Sequence, residues 1–326
     1  MATRRFKVDY FLLAIIAAAV VASFLPASGV GATALSWATK VAIFCLFFLY
    51  GARLHPREAL AGLKHWRLHL TILAFTFVAF PLLGLAIAQL PATVISAALI
   101  PGLLYVTLCP STVQSSINFT SIAHGNVAGA IVSASASNLL GVFVTPLLAI
   151  ALMNTSGQAH VGFGAIGDLM LQILLPFILG QLSRRWTADF VARHKKLKLF
   201  DQASIVLVVY SAFSEGVREG IWTMVSVPDI VALIVVCLVM LAFMLWLTWF
   251  AARRLKFNRA DAIAIQFCGT KKSLATGLPM ATVLFVGQPI GLIMLPLMVF
   301  HQAQLMACSW LATRYAREAD AAPAVG

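Results

Sequence analysis

The stretch Leu108-Cys109-Pro110-Ser111-Thr112-Val113-Gln114-Ser115-Ser116-Ile117-Asn118-Phe119-Thr120 lies within residues 68–167, a hundred positions without a single Asp, Glu, Lys or Arg. So long an uncharged run excludes a water-facing fold and points to lipid as the solvent. Pro110 removes a helix donor and its ring clashes with the preceding turn, and the polar side chains after it are too many for a lipid-facing surface. Such a break in a spanning helix is tolerated only where protein or water covers the freed backbone. Pro110, Ser111, Thr112, Gln114, Ser115, Ser116 and Asn118 are therefore candidate substrate- or ion-binding residues on an interrupted membrane helix.

The rest of the chain agrees. Of its 326 residues, 61% are hydrophobic and 10% charged, with a mean hydropathy of +0.94, against roughly 25% charged in soluble domains. At ~20 apolar residues per crossing, ten segments emerge, at 9–26, 34–54, 68–89, 92–123, 127–153, 163–182, 200–217, 229–252, 261–285 and 289–312. The expected fold is all-α, a single ten-helix membrane domain. The first segment imitates a signal peptide, but the cations argue for keeping it as a helix. Of the 23 Lys and Arg residues, all but Lys40, Arg218, Lys271 and Lys272 fall before the first segment, after the last, or in the loops following the second, sixth and eighth. By the positive-inside rule both termini are expected in the cytoplasm, and the protein in the cell membrane. The seventh segment is the weakest, since only 202–214 is uncharged, a length equally consistent with a re-entrant piece. The net charge of +12 thus reads as topology rather than as affinity for nucleic acid.

A second oddity matches the first. Segment nine carries Phe267-Cys268-Gly269-Thr270-Lys271-Lys272-Ser273, which pairs with Leu108-Cys109-Pro110-Ser111-Thr112 at an offset of 159 residues. Gly51-Ala52-Arg53 pairs with Gly216-Val217-Arg218 at an offset of 165. The offsets divide the chain into two five-helix units, 1–155 and 160–326. An odd number of spans per unit gives the units opposite orientations, the arrangement of an inverted-repeat transporter.

Lys271 and Lys272 lie ~10 residues inside a span that begins near Asp261, ~15 Å deep at 1.5 Å per residue. Intramembrane lysines cost at least ~2.5 kcal/mol each and default to a functional reading. The alternative starts the span near Ser273 and lets both lysines snorkel to the surface. Gly269, Thr270, Lys271, Lys272 and Ser273 join the candidate set. So does Asn138 in segment five, whose amide needs a partner, whereas Ser133, Ser135 and Ser137 read equally well as packing residues. His301 and Gln302, beside Gln304 in segment ten, complete the candidates as a polar cluster that lines a cavity or serves structure. Tyr50, Asp168, Glu215 and Asp229 lie near span ends, where capping and interface anchoring account for them.

No phosphate loop, zinc-protease spacing or charged catalytic pair is present in the sequence, and Lys272 and Ser273 point about 100° apart on a helix, so an enzyme is not expected. The five scattered cysteines read as small buried side chains, with no metal or cofactor implied.

Segments four and five, with Cys109-Pro110, Gly125-Asn126-Val127 and Thr145-Pro146-Leu147-Leu148, and segment nine from Cys268 to Met280 resemble the bile acid:sodium symporter superfamily. The similarity is strongest to its branch of sodium/bile acid cotransporter 7-like proteins and covers nearly the whole chain. The resemblance implies a panel domain of helices 1, 2, 6 and 7 and a core domain of helices 3, 4, 5, 8, 9 and 10. It also implies that helices 4 and 9 are unwound and cross where substrate and sodium bind. Sodium-coupled members resemble Glu-x-Gly-x-Gln-Asn at the ninth-helix crossing, where this sequence has Phe267-Cys268-Gly269-Thr270-Lys271-Lys272. Their hydroxyl ligands on helix five fall on Ala130 and Ala134, in a register without an insertion near Gln114.

The expectation is a secondary transporter of small organic anions working by alternating access, sodium-independent, with one crossover lysine in the space of a sodium ion. Because low dielectric penalises an ammonium, a proton is one candidate coupling ion and sodium the other. One alternative is a sodium-coupled symporter of bile acid-like anions with ligands from Ser115, Ser116, Asn118, Asn138 and Gln266. Another is a membrane regulator that keeps the fold without transport. Substrate identity and oligomeric state have no signature in the sequence.

Overall fold

The computed structural model describes residues 10–53, 65–153, 170–194, 196–218 and 220–320, and every regular element among them is helical. Arg4, Arg5, Lys7, Arg57, Lys64, Asp168, Lys195 and Glu219 lie outside the described residues. Helices α1 (Tyr10–Phe24) and α2 (Gly29–Arg53) lead to α3 (Trp66–Ala74), which continues through a π-turn (Phe75–Ala79) into α4 (Phe80–Ile87). Next come α5 (Ile100–Leu108), α6 (Val113–Ile122) and α7 (Val127–Leu148), then α8 (Leu175–Leu182) and α9 (Arg184–Arg193). The chain ends with α10 (Leu197–Arg218), a short α11 (Ile221–Met224), α12 (Val227–Arg254), α13 (Arg259–Gly269), α14 (Leu274–Leu284) and α15 (Ile290–Asp320).

Among the described residues, five helical stretches are long and apolar enough to cross a membrane: Gly29–Arg53, Trp66–Ile87, Val127–Met153, Val227–Arg254 and Ile290–Asp320. A sixth is added if Ala97–Leu108 and Val113–Ile122, bent by 65°, count as one. Trp37, Leu147, Val239 and Trp310 are exposed on these helices, as suits side chains solvated by lipid. The protein is a multi-pass membrane protein.

Local chemistry sets several boundaries. Ser226 and Asp229 form a capping box at the start of α12, the role expected of Asp229. Asn258 caps α13 and Asn126 caps α7, each accepting from a backbone amide three residues on. The seventh predicted segment is a continuous 22-residue helix, α10, because the charges that shorten its apolar part are accommodated. Asp201 pairs with Arg53 of α2. The last helix runs past residue 312 to Asp320, with Tyr315 stacked on Trp249 at 5.2 Å. Lys40 lies over the Trp37 ring at 5.1 Å.

Helices α2 and α8 pack backbone to backbone, since a Cβ on Gly180 would lie 2.1 Å from the Phe48 carbonyl oxygen. Helix α10 packs on α1, α2, α14 and α15. The middle of the molecule is formed where the end of α5, the start of α6, the end of α13 and the start of α14 meet beside α7, α15 and the π-turn.

Candidate binding site at two helix breaks

Helix α5 stops at Leu108 because Cys109 turns extended (φ −66°, ψ 150°) ahead of Pro110. Helix α6 resumes at Val113. Helix α13 stops at Gly269 and α14 resumes after Ser273, whose hydroxyl caps it by accepting from the Thr276 amide at 3.3 Å. The two breaks are stitched together. The Ser273 amide donates to the Pro110 carbonyl at 2.8 Å, Ser111 Oγ to the Cys268 carbonyl at 2.6 Å, and Thr112 Oγ1 to the Lys272 carbonyl at 2.9 Å. Ser116 Oγ adds a bond to the Phe267 carbonyl at 3.3 Å.

Helix α7 braces this seam. Asn138 Nδ2 donates to the Ser111 carbonyl at 2.7 Å while its Oδ1 accepts from Thr276 Oγ1 at 2.7 Å, so one amide spans both breaks. Ser137 Oγ accepts from the Ser111 amide at 3.0 Å. Gly141 makes the approach possible, since a Cβ there would lie 2.5 Å from Pro110 Cβ. On the other side, Gln304 clamps the Lys272 peptide at both ends. Its Oε1 accepts from the amide and its Nε2 donates to the carbonyl, each at 2.8 Å. His301 Nδ1 lies 3.2 Å from that same carbonyl.

Both lysines are wholly buried. Lys272 Nζ donates to three backbone carbonyls: Thr107 at 2.7 Å, Cys109 at 2.8 Å and Thr76 at 3.0 Å. An ammonium has three N–H donors, so the group is saturated, and the Phe80 ring covers it at 4.1 Å. The acceptors are free for two different reasons, a helix stop and a proline. Thr107 and Cys109 flank the stop enforced by Pro110, where helix carbonyls have no amide partner and carry the negative end of the dipole. Thr76 lies in the π-turn, where its i+5 partner would be Pro81, which has no N–H. Lys271 is different. Among the described residues its Nζ meets no oxygen acceptor and sits 3.8 Å from the centre of the Phe119 ring and 5.9 Å from that of Phe267, with the Cys308 thiol within reach and the Cys268 thiol nearby.

The crossing thus gathers Pro110, Ser111, Thr112, Ser116, Asn138, Lys271, Lys272, Ser273 and His301. Gly269 and Thr270 form its edge, Thr270 Oγ1 bonding back to the Gln266 carbonyl at 2.6 Å. Gln114 and Asn118 point outward from α6 and are exposed, and Ser115 between them has a hydroxyl with no partner. Gln302 Oε1 is buried without a partner, and no bond ties Gln302 to the crossing. Gln304 and the carbonyls of Thr76, Thr107 and Cys109 were not among the sequence candidates. Pro81 was the available signal for Thr76.

Residues 9–317 match the SBF-like CPA transporter family. The chain belongs to that family. It is 51% identical to "Uncharacterized protein PA2026" of Pseudomonas aeruginosa, over 99% of this chain and 98% of that one. It is 49% identical to "Putative symporter YfeH" of Escherichia coli (strain K12), over 96% and 94%. It is 31% identical to sodium/bile acid cotransporter 7 of Rattus norvegicus, over 94% and 92%. The resemblance read from the two break motifs is the family found, and its members are transporters.

Proposed function

We propose that the protein is a secondary transporter of small organic anions, working by alternating access without sodium, with Lys272 as its resident cation. The observation that carries this reading is the ammonium held by three backbone carbonyls at 2.7–3.0 Å. Oxygen cages of this kind hold hard cations, and here every N–H of the tethered cation is engaged. Lys272 then supplies fixed positive charge at the crossing rather than a direct contact to substrate.

The anion is met instead at the start of α6. Helix N-termini favour negative charge, and Gln114 and Asn118 are exposed in a chain otherwise solvated by lipid. Helix α6 packs on α7, α13 and α15, and its polar outer side faces a water-filled cleft. In this reading ten spans are completed by the shorter apolar helices Leu13–Phe24 and Leu171–Leu182, by α10, and by the α13–α14 pair. They form two inverted five-helix units, 1–155 and 160–326, in a cell membrane with both termini cytoplasmic. The panel comprises spans 1, 2, 6 and 7, and the core the remainder.

A melting-temperature screen of detergent-purified protein against a panel of organic anions, with sodium or choline and at two pH values, tests the proposal. The expected result is stabilisation by at least one anion, equal in both salts, because a ligand of the folded state stabilises by mass action. Stabilisation specific to sodium would make the protein a sodium symporter. Stabilisation by no anion would favour a non-transporting regulator. A pH-dependent anion response would identify a proton as the coupling ion.

A further inference from the structure

Away from the crossing, α12, α13 and α15 enclose a cleft of about 280 Å³ lined by Leu245, Trp246, Trp249, Gln266, Trp310 and Tyr315. Its floor is polar but internally satisfied. Gln266 Nε2 donates to the Leu245 carbonyl at 2.9 Å, and Gln266 Oε1 accepts from the Tyr315 hydroxyl at 2.9 Å. Its walls are aromatic, with Trp246 stacked on Phe250 at 5.4 Å and Trp249 on Tyr315 at 5.2 Å. Trp246 and Trp310 are more than half exposed, so the cleft opens on the lipid-facing side.

Two arginines lie beyond one end of the cleft. Arg254 lies over the Phe250 ring at 5.0 Å and Arg314 over the Trp310 ring at 5.9 Å. Along the helices, Arg254 is ~12 Å beyond Trp246 and Arg314 ~6 Å beyond Trp310, at 1.5 Å per residue. Arg254 has no carboxylate partner among the described residues. Arg314 pairs with Glu318 at 2.8 Å, an exposed pair that yields at little cost. An ordinary aromatic belt places indoles at the interface, but it does not require a cleft with two arginines beyond one end.

We propose that this cleft binds an acidic phospholipid, its acyl chain between the indoles and its phosphate between Arg254 and Arg314. The occupant follows from complementarity. Apolar walls take a chain, the helices end at the headgroup level, and the excess positive charge selects an anionic headgroup over a zwitterionic one. Gln266 is one residue from Phe267 of the ninth-helix break, so an occupied cleft also rests against the segment that ends in Lys271 and Lys272.

The test compares the full-length protein, stripped of lipid in detergent, with phosphatidylglycerol or phosphatidylcholine of identical chains, read by native mass spectrometry and by melting temperature. Two arginines near a headgroup predict a preference of about 30-fold for phosphatidylglycerol. The Arg254→Gln, Arg314→Gln double variant is expected to bind both lipids alike, and Trp246→Ala to weaken both. Equal binding of the two lipids by the unmodified protein would overturn the proposal, as would a preference that survives in the double variant. If the double variant does not purify, each single variant is expected to lose part of the preference, and an unchanged preference in both overturns the proposal. Inorganic phosphate should leave the melting temperature unchanged. Stabilisation by it would assign the arginines to a free anion instead.

Discussion

Lys271 and Lys272 are adjacent and equally buried, yet one meets three oxygen acceptors and the other meets two ring faces and two thiols. The difference lies in what each direction across the break offers. Toward the π-turn and the end of α5 there are carbonyls without amide donors, at Thr76 because of Pro81 and at Thr107 and Cys109 because α5 stops at Leu108. Toward α6 and α15 there is an apolar cluster containing Ala123, Phe267, Cys308 and Tyr315. Burial alone therefore says little about a charge, because the same depth holds a cage of oxygen acceptors on one side and none on the other.

The sharpest way to break the comparison is Lys272→Met. It leaves three buried carbonyls without a donor, and an unsatisfied buried acceptor costs ~1–3 kcal/mol for each group. A large fall in melting temperature and loss of monodisperse protein are expected; a variant that melts like the parent would mean the cage is not structural. Lys271→Met should behave oppositely, because replacing a poorly compensated buried charge by an apolar side chain of similar volume is neutral or stabilising by ~1–4 kcal/mol. Anion uptake into proteoliposomes should nonetheless fall, since the variant removes positive charge from the crossing. Unchanged uptake would show that this charge is idle.

Smaller effects test the seam between the breaks. Asn138→Leu removes the amide that serves both Ser111 and Thr276 and leaves a buried carbonyl unpaired, at ~1–3 kcal/mol by chemical or thermal denaturation. Thr112→Val should cost only ~0.5–1.5 kcal/mol, because the Lys272 carbonyl it serves keeps Gln304 as a donor. Equal losses from the two variants would mean that the Asn138 amide braces the seam no more than one of its direct bonds does.

Much of this was legible in the sequence where side chains announced themselves. The proline in a polar run marked the break after Leu108, and the glycine before two lysines marked the one after Gly269. The 22-residue α10 was harder to see, since its charges at Asp201 and Glu215 disguised a continuous helix. The cage itself was hidden for a different reason. Its acceptors are backbone oxygens, which every residue carries, so the identities of Thr76, Thr107 and Cys109 give no sign of it. Gln114 and Asn118 are as polar as Gln304, and only helical phase separates the two that face outward from the one that clamps Lys272.

The π-turn at Phe75–Ala79 has a consequence for chain length. A π-turn accommodates about one residue more than the α-helix around it, so deleting one residue there would restore a regular helix of ordinary membrane-crossing length. If the deleted residue is Phe75, the Phe80 N–H becomes the i+4 donor of Thr76 in a regular helix, which pairs that carbonyl and leaves Lys272 with two acceptors instead of three. The length of the third span thus answers to an ammonium in a distant helix break as well as to the thickness of the bilayer.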